Sequence, residues 1–154
     1  MVSTAFKLCP NYTLWHRRRF VTKILVIDND ELIRCSLTFL LQTLGYSVQS
    51  LPFTSSTVES LSQCSNHSFI CLIDGILPDQ NTYHLLMTAS ASPILKQHTY
   101  ILLSTNDQAE KPLLKAIERE LHLLIIKYPF ESQQLKQAID EQESVRGGKE
   151  RASL

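Results

Sequence analysis

The sequence predicts an α/β fold with a parallel sheet covered by helices on both faces, and three observations predict it. From Lys23 onward, five short apolar runs of strand length alternate with five helical patterns. Two of those runs, Lys23 to Ile27 and Phe69 to Ile73, stop at an aspartate, Asp28 and Asp74. The chain is 154 residues long, enough for one domain with a full core and too short for two ordinary ones. Strand C-terminal ends line the ligand crevice of an open parallel sheet, so two acids distant in sequence are expected to converge there.

The first unit is KILVI followed by Glu31 to Leu44, where Leu32, Cys35, Leu37, Phe39, Leu40 and Leu44 recur near helical spacing. Asp30 is placed to cap that helix and Gly45 to end it. Tyr46 to Leu51 reads as a second strand, and Thr54 to Gln63 as a polar-faced helix with Val58 and Leu61 inward. The third strand, FICLI, runs into Asp74, with Pro78 four positions on; Leu77 to Gln80 reads as loop and Thr82 to Ala89 as a short helix. Asp79 fits a turn and Asp107 a helix cap.

Tyr100 to Leu103 is a fourth strand ending at Ser104. Asp107 to Glu120 follows as a helix with Leu113, Leu114 and Ile117 inward, and Pro112 calls for a later start or a kink. Leu123 to Ile126 is the fifth strand, Glu131 to Glu141 the last helix. Ser144 to Leu154, with Gly147 and Gly148 among charges, is expected to be a disordered tail. The organisation is thus an extension over 1–21, a domain over 22–142 and a tail over 143–154.

Fifteen basic and fifteen acidic residues cancel, which removes any global electrostatic case for nucleic acid or an acidic membrane surface. The local basic run, His16 to Arg19, reads as a solvated segment. No stretch approaches the roughly 20 apolar residues of a membrane span or forms a signal peptide. Cys9, Cys35, Cys64 and Cys71 make no CxxC pair and have no histidine at ligand spacing, so no zinc or redox motif is supported. Cys35 and Cys71 read as core residues, and a reduced, cytoplasmic setting is the expectation. His67, His84, His98 and His122 are scattered and read as surface polar residues.

Taken in order, the acidic cluster after the first strand, Asp74 with Pro78 after the third, Ser104 after the fourth and a lysine near Pro129-Phe130 after the fifth resemble the receiver domain of two-component response regulators. The resemblance covers about Lys23 to Gln142. It implies a flavodoxin-like, CheY-like doubly wound sheet of strand order 2-1-3-4-5. It also implies that Asp74 accepts a phosphoryl group from a histidine kinase or phosphotransfer protein, at most by self-catalysed transfer and without further enzymatic activity. Magnesium would be held by Asp28, Asn29, Asp74 and the backbone carbonyl of Ile76, with Lys127 and Ser104 completing the phosphoryl pocket. Output would be a contact with a downstream protein through the fourth helix and fifth strand, with no direct nucleic-acid or membrane partner, and the family pattern allows a homodimer.

The chain departs from that pattern: Ile125 or a neighbour stands where an aromatic switch residue is expected, Thr82 replaces a usual loop glycine, the Gly-Ala before the fifth strand is missing, and two further departures touch the site itself. Asn29 stands where a second metal-binding acid is usual, so magnesium affinity is expected to be weak. Lysine usually precedes Pro-Phe directly, but this chain reads IIKYPF. Either an inserted residue lets Lys127 reach the site, the reading favoured here, or Tyr128 has replaced the lysine. A phosphorylation-independent interaction module of the same fold is the alternative function.

Overall fold

The computed structural model describes residues 22–64, 68–74, 80–104 and 112–152. Five strands form one parallel sheet: β1 (Lys23–Ile27), β2 (Ser47–Leu51), β3 (Ile70–Asp74), β4 (Thr99–Ser104) and β5 (Leu124–Lys127). Their order is β2-β1-β3-β4-β5, so the chain changes direction across the sheet between β1 and β3. Such a switch point opens a crevice at the C-terminal ends of those two strands.

The helices are α1 (Glu31–Thr43), α2 (Thr57–Gln63), α3 (Gln80–Ala91), α4 (Pro112–Leu121) and α5 (Ser132–Ala152), with a 3₁₀ turn at Leu95–Gln97. Strand alternation divides the core into two layers. Leu25, Ile27, Cys71, Ile73 and Leu102 pack with Leu61 of α2, Leu85 and Leu86 of α3 and Leu114 of α4. Ile24, Val26, Ile70, Leu72, Ile101, Leu103 and Ile126 pack on the other face with Leu37 and Leu41 of α1 and Leu135 and Ile139 of α5. The i, i+4 spacing of Leu37 and Leu41 and of Leu135 and Ile139 aims each of these pairs at one layer.

Local chemistry explains where α1 starts and stops. The Asp30 carboxylate accepts from the backbone N–H groups of Leu32 (2.9 Å) and Ile33 (3.2 Å), and Gly45 takes φ 95° just beyond the last turn. α4 begins at Pro112, where a missing N–H costs nothing because first-turn donors have no helical partner.

Four expectations need correction. α5 continues to Ala152, through the segment expected to be a disordered tail. Glu141, Gln142, Glu143, Arg146, Lys149 and Glu150 are good helix formers, and Gly147 and Gly148 cost only about 1 kcal/mol each. Cys35 is exposed on α1, its position falling just off the buried stripe, while Cys71 is buried as expected. Cys64 is disulfide-bonded. His98 is buried: its Nδ1 accepts from Phe69 N–H (3.0 Å), which leaves Nε2 to donate to Leu61 O (3.2 Å). One imidazole thereby ties α2 to the starts of β3 and β4. No helix among the described residues is long and apolar enough to cross a membrane.

Candidate functional site

Asp28 follows the last residue of β1 and Asp74 is the last residue of β3, and these neighbouring strands pair in register up to Ile27 and Ile73. The two acids therefore stand side by side on one rim of the sheet. Asp28 and Asp74 continue the parity of Ile24 and Val26 and of Ile70 and Leu72, the layer beneath α1 and α5.

Asp28 is held tightly. It is only 7% exposed, its Oδ1 accepts from Asp30 N–H at 2.8 Å, and its backbone carbonyl accepts from Arg34 Nη1 at 2.7 Å. Its Oδ2 is buried and accepts no hydrogen bond. A carboxylate oxygen in that condition is costly unless a cation or donor completes it. Asp74 is half-buried.

Asn29 is engaged elsewhere: its Oδ1 accepts from Phe53 N–H at 2.7 Å, pinning the segment between β2 and α2. Asp30 acts as the helix cap described above. Ile76, as well as Asp79 and Asp107, lies outside the described residues.

At β5 the register decides between lysine and tyrosine. Ile101, Leu102, Leu103 and Ser104 pair in turn with Leu124, Ile125, Ile126 and Lys127, without a bulge, and Tyr128 N–H continues the ladder to Ser104 O at 2.9 Å. Ile126 and Tyr128 share the layer of α1 and α5, whereas Ile125 lies with the opposite layer. Tyr128 thus has the parity of Asp28 and Asp74. Lys127 has the other parity and is exposed; Ser104, its register partner, is buried at the end of β4.

Electrostatics agree with that geometry. Burial pushes the half-buried Tyr128 hydroxyl above the ordinary phenol range, and the negative charges of Asp74 and then Asp28 push it further the same way. Its ring also packs on Phe130, with centroids 5.0 Å apart. The rim therefore brings together two carboxylates and a neutral, protonated phenol. Such a group can donate one hydrogen bond to an anion but supplies no charge.

No family model matches this sequence, and no curated protein does. Solved structures do. The chain is similar to a sensor protein from Polaromonas sp. JS666 (16% identity, TM-score 0.64, covering 81% of this chain and 98% of that one). It is similar to a CheY-like response regulator receiver domain protein from Methanospirillum hungatei JF-1 (25% identity, TM-score 0.59, 80% and 98%). A third is the signal receiver domain of an HD domain-containing protein from Pseudomonas fluorescens Pf-5 (20% identity, TM-score 0.62, 83% and 98%). The fold is the CheY-like, flavodoxin-type receiver fold, as the strand order already indicated.

Proposed function

We propose that this chain is a receiver-type signalling domain that passes its signal on by protein contact, with Asp74 a weak phosphoacceptor at best. The observation that carries the reading is Tyr128. Transfer of a phosphoryl group to a carboxylate brings two anions together, and a nearby ammonium is the group that offsets their repulsion. Here the residue sharing the face of Asp28 and Asp74 is a phenol that those same charges hold protonated.

The surface offers contacts of the kind the reading needs. Leu32 and Phe39 are 80% and 72% exposed, and with Cys35 they lie along one solvent-facing line of α1. Leu113 of α4, expected to face inward, is instead exposed, on the fourth-helix face expected to carry output, while Leu114 and Ile117 are buried as expected. A histidine kinase, a phosphotransfer protein, a downstream signalling protein or a second copy of the chain are the classes of partner proposed, in a cytoplasmic setting.

A second reading, phosphorylation of Asp74 in a phosphorelay, is favoured by the buried, unpartnered Oδ2 of Asp28 beside it. That oxygen fits a divalent cation, so Asp28 and Asp74 would hold magnesium, which would supply positive charge between Asp74 and an incoming phosphoryl group. Asn29 would add little while its oxygen serves Phe53, and the Ser104 hydroxyl would be the donor to the phosphoryl oxygens. The experiment is incubation with acetyl phosphate and magnesium, read by intact mass, beside Asp74→Asn. Little or no mass gain in wild type supports the contact-driven reading. A rapid, stoichiometric gain abolished by Asp74→Asn establishes the phosphorelay reading instead.

A further inference from the structure

The outer face of α1 carries an inference that deepens the contact-driven reading above and rests on it only for its role in signalling. Leu32 and Phe39 are the most exposed large apolar side chains among the described residues. At about 100° per residue, Leu32 lies directly opposite Leu41, which is buried against the sheet, and Phe39 falls within about 20° of the same line. Cys35 and Ser36 lie between them, one on each side of the line, and both are exposed. The outward stripe therefore reads large, small, small, large over about 10 Å. We propose that this stripe seats a second copy of the chain, the two α1 helices packing antiparallel about a two-fold axis that passes between Cys35 and Ser36.

Charge singles out a second copy as the occupant. The stripe bears no charged side chain: Glu31 stands about 100° round the helix from Leu32, and Arg34 Nη1 donates to Asp28 O at 2.7 Å. The outer positions of the other long helices differ, with Lys115, Arg119 and Glu120 exposed on α4 and Lys136, Asp140 and Glu141 exposed on α5. A partner recognised by its charge finds nothing to pair with on α1, whereas an identical surface meets it without like-charge repulsion. Contiguous apolar surface of this kind, rimmed by polar residues, marks a contact site.

Symmetry points the same way. Leu32 and Phe39 are equally distant from the midpoint between Cys35 and Ser36, so turning a second copy end for end about that midpoint sets each Leu32 on the other copy's Phe39. Each Cys35 then meets the other copy's Ser36. That is the self-complementarity a two-fold interface demands. The small central pair lets the helix axes approach to about 8 Å, and antiparallel helix dipoles attract. Four large side chains and their surroundings make a contact below about 1,200 Å², the size of weak, transient pairs. The dimer covers the stripe while it lasts, so any protein that docks on α1 must displace the second copy.

The test is sedimentation equilibrium of the full chain with no phosphodonor present, so its outcome is independent of the acetyl phosphate experiment. Wild type should dimerise with a dissociation constant of roughly 10 µM to 1 mM. Phe39→Glu and Leu32→Lys change exposed positions and should melt as wild type does, yet each should weaken association by about tenfold or more, because each sets a lone charge on an apolar side chain. The double variant brings the introduced ammonium and carboxylate together twice across the axis and should recover much of that loss. A short bis-maleimide should join two wild-type chains through Cys35, as peptide mass identifies. A wild-type chain still monomeric at about 1 mM, a dimer indifferent to Phe39→Glu, a double variant no better than the single ones, or the absence of a link between two Cys35 peptides would each overturn the proposal.

Discussion

Replacing Tyr128 with lysine should turn a poor phosphoryl acceptor into a better one. The substitution puts an ammonium where the structure has a phenol, on the face that Asp28 and Asp74 share. At a separation of about 4 Å and an effective dielectric near 20, one unit charge on another is worth about 4 kcal/mol. Tyr128 is only half-buried, so solvent and salt reduce this to roughly 1.5–2 kcal/mol. Since about 1.4 kcal/mol is tenfold in rate, Tyr128→Lys should speed phosphorylation of Asp74 by roughly ten- to thirtyfold.

The assay is the initial rate of mass gain with acetyl phosphate and magnesium, with tightening of beryllium fluoride binding as an equilibrium check. Tyr128→Phe is the control, since it keeps the packing on Phe130 and adds no charge; it should leave the rate unchanged. Lys127→Ala should also be silent. If Tyr128→Lys gains nothing and Lys127→Ala abolishes transfer, the lysine reaches the pocket despite its parity, and the argument from register is wrong.

Other expectations follow from the same geometry. The Tyr128 pKa is raised on folding, so its contribution to stability is complete below its unfolded value near 10 and is lost as pH rises through the folded value. Thermal melts of Tyr128→Phe should therefore fall less steeply above pH 10 than those of wild type; parallel curves would contradict this. His98→Ala removes the partners of two buried backbone groups, Phe69 N–H and Leu61 O, and should cost about 2–4 kcal/mol in urea denaturation; a loss under about 1 kcal/mol would mean that water replaces the ring. Gly45→Ala has open space for its Cβ, so its expected loss of about 1–2 kcal/mol is purely conformational, from φ 95°. Phe39→Glu, on an exposed position, should change stability by less than about 0.5 kcal/mol while weakening capture of a phosphotransfer domain; equal capture would remove α1 from the contact surface.

The architecture was legible because its signals are local. Apolar runs such as KILVI and FICLI need burial on both faces wherever they fall, and Asp30 and Gly45 mark helix ends through bonds within a few residues of themselves. Where signals are not local the reading failed. His98 lies between a 3₁₀ turn and a strand, and nothing in its neighbourhood announces that Leu61 and Phe69, 37 and 29 residues away, will offer it an acceptor and a donor. A polar residue flanked by strand residues whose every neighbour is buried is the one hint, and Tyr100, Ile101 and Leu102 supplied it. The partner of Asn29 Oδ1, Phe53 N–H, is likewise remote in sequence and carries no local signal.

The pocket itself turned on a single residue of register. Whether Lys127 or Tyr128 joins Asp74 depends on whether β5 carries a bulge, and the spacing from Ser104 to Pro129 is compatible with either. What distinguishes them is the ladder: with Leu103 opposite Ile126 and Ser104 opposite Lys127, Tyr128 N–H reaches Ser104 O and the alternation is unbroken. Each strand position is then a choice of face, and Ile126 has already chosen by packing with Leu135 and Ile139 in the layer of α1 and α5. Moving Lys127 onto that face by a slip would put Ile126 on the opposite one and Ile125 in its place. Both are isoleucines, so the core would lose little. The preference must come from the ends of the strand, where Tyr128 and Phe130 pack together at the edge of the same layer. A charged ammonium would have to take the place of an aromatic ring there. The apolar packing that selects the register is therefore the same interaction that puts a phenol on the face of Asp28 and Asp74.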